Sequence, residues 1–185
     1  EEMEAVIAID VLRRGGVEVV VAGLEGNNSV VCSRQVRVVP DMALKELHAD
    51  AHEFAAVVLP GGLGGARAMA EHPLVGSWLR AMAKDRGVVG AICAAPLALV
   101  QHGFGTGRAM TSHPSVRDDV AGHGDYSEDP VVGDRSESEG TLVTGQGPGT
   151  AFPFALRLVA ELQGPDAAAE LVPPMMFPAG ALPGF

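Results

Sequence analysis

Short apolar runs that alternate with helix-type segments constrain the fold of this chain more than any other feature. Three such runs, over residues 17–22, 54–59 and 88–92, each stop at a glycine, a proline or a cysteine. Continuous apolar runs of this length are typical of strands buried on both faces in a parallel sheet. Because helix-type segments separate them, the sequence predicts an α/β fold with helices on both faces of the sheet.

Further elements are predicted around these strands. Helical spacing predicts helices over residues 1–14, 66–84 with an interruption near Pro73, 94–102, 148–162 and 165–171. Shorter elements are a hairpin over 30–39, a short helix over 40–47, strands over 108–112 and 141–144, an exposed loop and hairpin over 122–140, and an irregular tail from Pro173. No internal repeat or linker is found, so residues 1–185 are treated as a single domain.

Composition limits the classes of function. The formal net charge of −10 opposes non-specific binding to nucleic-acid phosphates. No apolar run reaches the roughly 20 residues of a membrane-spanning helix. The two cysteines, Cys32 and Cys93, are too few for a disulfide framework, and no secretory signal is recognised, so we expect a reducing, cytoplasmic compartment.

The strongest chemical signal lies between Val88 and Pro96. A predicted strand ends at Cys93, small residues flank that cysteine, and a predicted helix follows. A tight strand–turn–helix presents a nucleophile clear of the backbone, and the N–H groups that open the helix favour a thiolate with a lowered pKa and an exposed, reactive sulfur. The competing interpretation is a small apolar residue that ends a buried strand, because buried free cysteine is common.

Backbone donors are expected next to this cysteine. In a parallel sheet, ligands bind beyond the carboxyl ends of the strands, where Cys93 and the glycine pair after the second strand are both predicted to lie. Gly61 and Gly62 have no side chains that block a close approach, so their N–H groups and that of Ala94 are candidates for an oxyanion hole.

Two residues are candidate proton carriers. Glu4 lies in the first turn of the first predicted helix, and His113 follows a predicted strand. Taken alone, Glu4 is more simply a solvated residue at a helix N-terminus, and His113 a structural hydrogen-bonding residue. The residues themselves do not bring these segments together, and the other histidines show no metal-ligand spacing.

Seven short segments resemble the DJ-one/PfpI superfamily in their order and spacing. They are EEME at residues 1–4, VAGL at 21–24, CSR at 32–34, VVLPGG at 57–62, AICA at 91–94, HP at 113–114 and GPGT at 147–150. The resemblance extends from residue 1 to about Phe177. It implies a flavodoxin-like, three-layer α/β sandwich with a mostly parallel central sheet, and an obligate homodimer.

The resemblance also implies roles for individual residues. Cys93 corresponds to the reactive, oxidation-sensitive cysteine, Glu4 to the acid that hydrogen-bonds its sulfur, and His113 to the nearby histidine. Gly62 and Ala94 correspond to the backbone donors beside the sulfur. Two prolines, Pro148 and Pro174, are implied to help cover the pocket.

The activity implied by the resemblance is that of a cysteine-dependent deglycase of proteins and nucleotides and a glutathione-independent glyoxalase. Its substrates are methylglyoxal and glyoxal adducts, and neither a metal nor an organic cofactor is expected. The alternative is a redox-sensing chaperone whose Cys93 is oxidised to sulfinate and which acts by binding partners. RNA binding, and presence in the nucleus and mitochondrion as well as the cytoplasm, are implied by the resemblance alone.

One departure from the family pattern concerns peptidase activity. The peptidase-like relatives place a histidine directly after the cysteine, where this chain has Ala94. This disfavours a Cys–His protease. A catalytically inactive structural module is a further alternative, against which the intact set of Glu4, Cys93 and His113 argues.

A second departure concerns the first strand of the fold. In the superfamily a strand precedes the position of residue 1, and it is central in the 2-1-3-4-5 strand order. Without it, the predicted strand over 17–22 loses its partner and buried backbone groups are left unpaired. We expect a recombinant chain of residues 1–185 to fold poorly or to dimerise badly. A soluble preparation that melts cooperatively in a calorimeter would refute this.

Overall fold

The computed structural model describes residues 1–48 and 54–178. The α-helices in these ranges are α1 Glu2–Arg14, α2 Leu63–Glu71, α3 Pro73–Asp85, α4 Pro96–His102, α5 Arg117–Ala121, α6 Ala151–Gln163 and α7 Pro165–Leu171. The strands are β1 Ala22–Gly23, β2 Val30–Val31, β3 Arg37–Val38, β4 Met42–Ala43, β5 Ala56–Leu59, β6 Val88–Ile92, β7 Ala109–Met110, β8 Asp125–Tyr126, β9 Val131–Ser136 and β10 Gly140–Gly145. Short 3-10 helices cover Leu44–Glu46, Pro114–Val116 and Pro148–Thr150.

A four-stranded sheet in the order β5-β6-β10-β9 forms the centre of the molecule. Strands β5, β6 and β10 run parallel, and β9 runs antiparallel to β10. Every residue of β6 is buried, as its continuous apolar run predicts. Helices pack on both faces of this mostly parallel sheet, so the predicted flavodoxin-like α/β fold is confirmed.

The two faces of the sheet carry separate halves of the core. On one face, α6 lies so close to β6 that a side chain at Gly90 would come within 3.1 Å of Phe154 and 3.2 Å of Leu158. On the other face, α3 buries Trp78 and Leu79, which the sequence predicted to lie on its inner side. Close packing of helices on both faces makes the carboxyl edge of the sheet the accessible place for a site.

The five longer predicted helices are confirmed, with small differences at their ends. Helical structure over 66–84 divides at Pro73 into α2 and α3, and the ring of His72 accepts a hydrogen bond from the N–H of Leu74 at 3.3 Å. The predicted hairpin over 30–39 is also present, with β2 and β3 antiparallel. Within the described residues, no helix combines the length and the apolar character needed to cross a bilayer.

The strand predicted over residues 17–22 is wrong for most of its length. Only Ala22 belongs to a strand, β1, which pairs in parallel with β4. At Val21 the N–H donates to the side chain of Asp41 at 2.9 Å instead of to a neighbouring strand. A cavity of about 390 Å³ lies between this segment and β5. An apolar run forms the backbone hydrogen bonds of a sheet only when an unpaired strand lies next to it. Within the described ranges, no such strand lies against this segment.

The stretch 122–140 was predicted to be exposed loop and hairpin; the hairpin is present, but the prediction of exposure is wrong for part of its second half. Strand β9 lies there and pairs with β10 along its full length, so the hairpin belongs to the central sheet. Val131 and Val132, at the start of β9, are buried. The predicted strand over 141–144 is confirmed as β10.

Charged residues account for the loop-like composition of β9. The buried guanidinium of Arg108 donates from Nε to Asp134 Oδ1 at 2.7 Å and from Nη2 to the carbonyl of Gly140 at 3.0 Å. Arg135, on the same strand, donates from Nη2 to Glu161 Oε2 in α6 at 2.6 Å. Because ion pairs rather than apolar contacts hold the end of this edge strand, its sequence lacks the usual strand pattern.

Three shorter predictions are met in part. Strand structure over 108–112 is limited to β7, which pairs in parallel with β8. The short helix predicted over 40–47 is a 3-10 turn that follows β4. The tail from Pro173 contains neither helix nor strand up to residue 178, and its remaining residues, 179–185, lie outside the described ranges.

Candidate active site

Cys93 occupies the predicted turn between β6 and α4, here called the elbow. Its φ of 64° lies in the left-handed region, which residues other than glycine rarely adopt. The N–H of Cys93 donates to the carbonyl of Gly145 at the end of β10, and its carbonyl accepts from the N–H of His113, both at 2.8 Å. These two hydrogen bonds hold the turn in its unusual conformation.

Glu4 reaches the elbow from the first turn of α1. Its side chain is 0% exposed, so the simpler interpretation of a solvated residue is wrong. Oε2 accepts the N–H of Gly61 at 2.8 Å, and the carboxyl group lies beside the thiol of Cys93. Oε1 is buried and has no hydrogen-bond partner in the described ranges. This oxygen is therefore available to exchange a proton with a reacting group.

The meeting of Glu4 and Cys93 requires a glycine at position 61. A Cβ atom on Gly61 would lie 2.5 Å from Cys93 Cβ and 2.5 Å from Glu4 Oε2. The N–H of Gly61 donates to Glu4, so it is not free to stabilise an oxyanion as the sequence predicted.

Two other backbone groups contact the sulfur. The N–H groups of Gly62 and Ala94 both hydrogen-bond Cys93 and favour its thiolate. Gly62 has a φ of 84°, which orients its peptide unit in a way that glycine adopts without strain. Donors in these positions can also stabilise negative charge that develops on an oxygen beside the sulfur.

The pKa values of the acid and the thiol are shifted in the same direction. Burial raises the pKa of the Cys93 thiol, and the negative charge of Glu4 raises it further, against the hydrogen bonds from Gly62 and Ala94. Burial also raises the pKa of Glu4, against the hydrogen bonds from Cys93 and Gly61. Loss of both protons is the disfavoured state, so the pair retains one proton near neutral pH. The expectation of an exposed thiol with a lowered pKa is wrong, because the thiol is half-buried and its pKa is raised.

His113 is tied to the elbow through its backbone, and Ser115 fixes its ring. The N–H of Ser115 donates to His113 Nδ1 at 3.2 Å, and Ser115 Oγ lies 2.8 Å from the same nitrogen. A backbone N–H can only donate, so Nδ1 is an acceptor and the neutral ring carries its proton on Nε2. Ser115 was not predicted as a site residue, since a serine two residues after a histidine carries no signal of its own.

The two prolines predicted to cover the pocket lie in different surroundings. Pro148 follows Gly147, where a side chain would come within 3.5 Å of the ring of His113. Pro174 is exposed, in a segment whose Met175 and Phe177 pack onto the core cluster around α6. The covering role of both prolines stays a prediction.

The fold and the site together define a class of protein, the α/β sandwiches in which an elbow cysteine lies beside a buried carboxyl group and two backbone donors. The chain belongs to the DJ-1/PfpI family, whose model matches residues 1–161. The resemblance found in the sequence is therefore confirmed. Among residues 1–48 and 54–178, no group of three or more His, Cys, Asp and Glu side chains is arranged to hold a metal ion.

Curated relatives match nearly the whole chain. Protein dj-1beta of Drosophila melanogaster is 46% identical over 171 residues, which cover 92% of this chain and 88% of the relative. The Parkinson disease protein 7 homolog of Danio rerio is 43% identical over 178 residues, with coverages of 95% and 91%. The glutathione-independent glyoxalase DJR-1.2 of Caenorhabditis elegans is 38% identical over 177 residues, with coverages of 95% and 89%.

Solved structures agree with these matches. The crystal structure of Drosophila melanogaster DJ-1beta has a TM-score of 0.88 and 43% identity, and covers 96% of this chain and 92% of that chain. The structure of oxidized Toxoplasma gondii DJ-1 has a TM-score of 0.85 and 30% identity, with coverages of 96% and 92%. The fold described above is thus the fold of these family members.

The close approach at Gly61 generates a prediction for stability. We expect Gly61→Ala to force Glu4 and Cys93 apart and to destabilise the protein by about 1–3 kcal/mol, the usual cost of overpacking. The matched control is Gly64→Ala in α2, where an added methyl group meets nothing within 4 Å. Alanine favours this helix position by about 0.5–1 kcal/mol. Urea denaturation measures both variants, and equal stabilities would contradict the prediction.

The raised pKa of Glu4 generates a second prediction. Below the ordinary carboxyl pKa, Glu4 is protonated in the folded and the unfolded chain. As the pH rises from there towards the raised folded pKa, the unfolded chain ionises first and stability is lost. Because Glu4→Gln removes this loss and keeps an acceptor for Gly61, its gain in Tm over the native chain should be larger near neutral pH than near the ordinary carboxyl pKa. Calorimetry at both pH values tests this, with the exposed Glu25→Gln as control; a pH-independent gain would count against a raised pKa.

Proposed function

We propose that this protein is a glutathione-independent glyoxalase and deglycase. It converts methylglyoxal and glyoxal, free or carried as protein and nucleotide adducts, into lactate and glycolate, and so protects against oxidative stress. The observation that carries the proposal is the buried carboxyl group of Glu4, which lies beside the thiol of Cys93 and keeps one oxygen, Oε1, without a hydrogen-bond partner in the described residues. The glyoxalase name of the Caenorhabditis elegans relative supports the same activity.

The proposed reaction begins with the proton shared by the pair. When that proton resides on Glu4, the Cys93 thiolate attacks the aldehyde carbon of methylglyoxal, and the aldehyde oxygen takes up a proton to give a hemithioacetal. The N–H groups of Gly62 and Ala94 stabilise the negative charge that develops on this oxygen. A backbone N–H already satisfied elsewhere, as at Gly61, contributes nothing to this step.

The second half of the proposed reaction moves a proton within the substrate. Glu4 removes the proton from the former aldehyde carbon and returns one to the neighbouring carbon, while the hydroxyl on the first carbon loses its proton and the oxygen on the second carbon gains one, so the first carbon is oxidised and the second reduced. The product is a lactoyl thioester on Cys93. Water then attacks its carbonyl carbon, the sulfur leaves with a proton, and lactate is released. The sum is methylglyoxal plus water to lactate and a proton, with no external oxidant or reductant.

The alternative function is redox sensing by the same cysteine. The solved Toxoplasma gondii relative is described as oxidized, which supports an oxidisable residue in the family. In this chain, the donors Gly62 and Ala94 suit the oxygens of a sulfinate as well as an oxyanion. We place catalysis first because a buried acid beside the thiol, Glu4, serves the proton transfers of the glyoxalase reaction, whereas oxidation of the sulfur does not require it.

We also propose that the protein is a homodimer. Apolar side chains are exposed on α1 and on the β2–β3 hairpin, among them Met3 at 51% and Val36 at 49%. The hairpin is held beside the start of α1, because the N–H of Arg34 donates to Glu2 Oε1 at 2.8 Å. A second copy would cover these neighbouring apolar surfaces. Sedimentation equilibrium tests this, and a monomer at micromolar concentration would overturn it.

We also propose that the protein is located in the cytoplasm, with further pools in the nucleus and mitochondrion. The same proposal includes RNA binding. They rest on the family resemblance, and the net charge of −10 limits RNA binding to a specific surface. Fractionation of cells that express the tagged full chain tests the compartments.

The proposed function predicts the behaviour of three variants. We expect Cys93→Ser and Glu4→Gln to lower methylglyoxal turnover by about 100-fold or more, because each removes a group that handles the reacting bond or its proton. Cys32→Ser is the matched control and should turn over methylglyoxal at the native rate. Lactate formation by the reduced protein is the measurement.

The outcome also separates the two functions. If the native protein forms no lactate while Cys93 oxidises readily at low peroxide, redox sensing is the function and the glyoxalase proposal fails. Loss of turnover in Cys32→Ser equal to that in Cys93→Ser would likewise contradict the assigned nucleophile.

A further inference from the structure

A groove of about 420 Å³ borders the candidate site and has no role in the reaction proposed above. We call it the side groove; its walls are α2, α4 and the segment 115–119. Two segments contribute both to this groove and to the candidate site. Leu63 of the groove directly follows Gly62, whose N–H contacts the sulfur, and Ser115 of the groove holds the ring of His113.

The side groove combines an apolar floor with two opposite charges. Leu63, Leu97 and Val100 contribute apolar surface from α2 and α4. Arg67 lines the groove from α2, and Asp119 lines it from α5. A ligand that fits this arrangement has a hydrocarbon portion together with one negative and one positive group.

Both charged groups are available to a ligand. Within residues 1–48 and 54–178, neither the Arg67 guanidinium nor the Asp119 carboxylate has an ion-pair partner. Other arginines near the sheet are paired, such as Arg108 with Asp134 and Arg135 with Glu161. Unpaired charges of opposite sign that line one groove are complementary to a zwitterion, since the ammonium and the carboxylate of the ligand each find a counter-charge.

We propose that the side groove binds the amino-acid portion of an aldehyde adduct and that Arg67 and Asp119 select it. The α-carboxylate pairs with Arg67, the α-ammonium pairs with Asp119, and the methylene stem of a lysine or arginine lies on the apolar floor. The modified end of that side chain then lies towards Cys93. This inference rests on the proposed function and narrows it, because a free amino acid carries both charges, whereas a residue within a protein has both of them in peptide bonds.

Binding of a stable probe tests the proposal without requiring turnover. The probe is Nε-lactoyl-lysine, an amide that carries the product-like group on the side chain and leaves both α-groups free. Two capped forms serve as comparisons, the α-carboxamide and the Nα-acetyl derivative. We expect each capped form to bind the native protein about tenfold more weakly than the free amino acid, the effect of losing one charge-assisted hydrogen bond.

Variants connect each preference to one residue. Arg67→Gln should remove the preference for the free carboxylate and keep that for the free amine, and Asp119→Asn should do the reverse. The matched controls are Arg80→Gln, on the exposed surface of α3, and Asp118→Asn, beside Asp119 on α5. Both controls should keep both preferences. Titration calorimetry provides the dissociation constants.

The results distinguish this inference from the proposed function. Equal binding of the three probes by the native protein, no measurable binding of any of them, or unchanged preferences in Arg67→Gln and Asp119→Asn would each overturn the side-groove assignment. Methylglyoxal turnover by the native protein is unaffected by these outcomes, so the glyoxalase activity stands or fails on its own assay. The same preferences in a native protein that forms no lactate would establish an amino-acid site and reject the glyoxalase.

Discussion

The arrangement of the site depends on the missing side chain of Gly61. At this one position α1, the loop after β5 and the elbow come within contact distance, since a Cβ there would lie 2.5 Å from both Cys93 Cβ and Glu4 Oε2. The acid and the thiol are thereby buried together. Two buried acidic groups cannot both ionise at low cost, so each raises the free energy of the other's charged form. A single shared proton resolves this conflict, and the same proton is the one that a nucleophilic addition has to move.

The fold was predictable wherever a segment is buried on both sides by neighbours within the chain. Strand β6 is such a segment, and its apolar run alone was sufficient. The run over 17–22 is also rich in valine, with Glu18 as its one charged residue, but pairing depends on a partner strand, which composition does not report. The reverse holds for β9, whose Asp134 and Arg135 find ion-pair partners in distant segments. Local sequence patterns therefore do not show whether a strand has a partner to pair with, or whether a charged residue has an ion-pair partner elsewhere in the fold.

The site was predictable to a similar degree. The small residues around Cys93 indicated the elbow, because tight turns have local requirements that the sequence displays. Glu4 lies 57 positions from Gly61 in the chain, and only the family resemblance joined the two before the structure did. The direction of the Cys93 pKa shift was missed, because burial depends on the whole fold whereas the helix N-terminus is visible locally. Nothing in the sequence pointed to Ser115, Arg67 or Asp119, because their proposed roles depend on residues that are near them only in the folded protein.

The charges on the β9 edge of the central sheet have a consequence for how the protein behaves at high concentration. There, Asp134 and Arg135 are engaged in ion pairs with Arg108 and Glu161. A strand that approached β9 from another molecule would have to disrupt these ion pairs before it gained backbone hydrogen bonds of its own, so the edge resists the growth of the sheet from one molecule into the next.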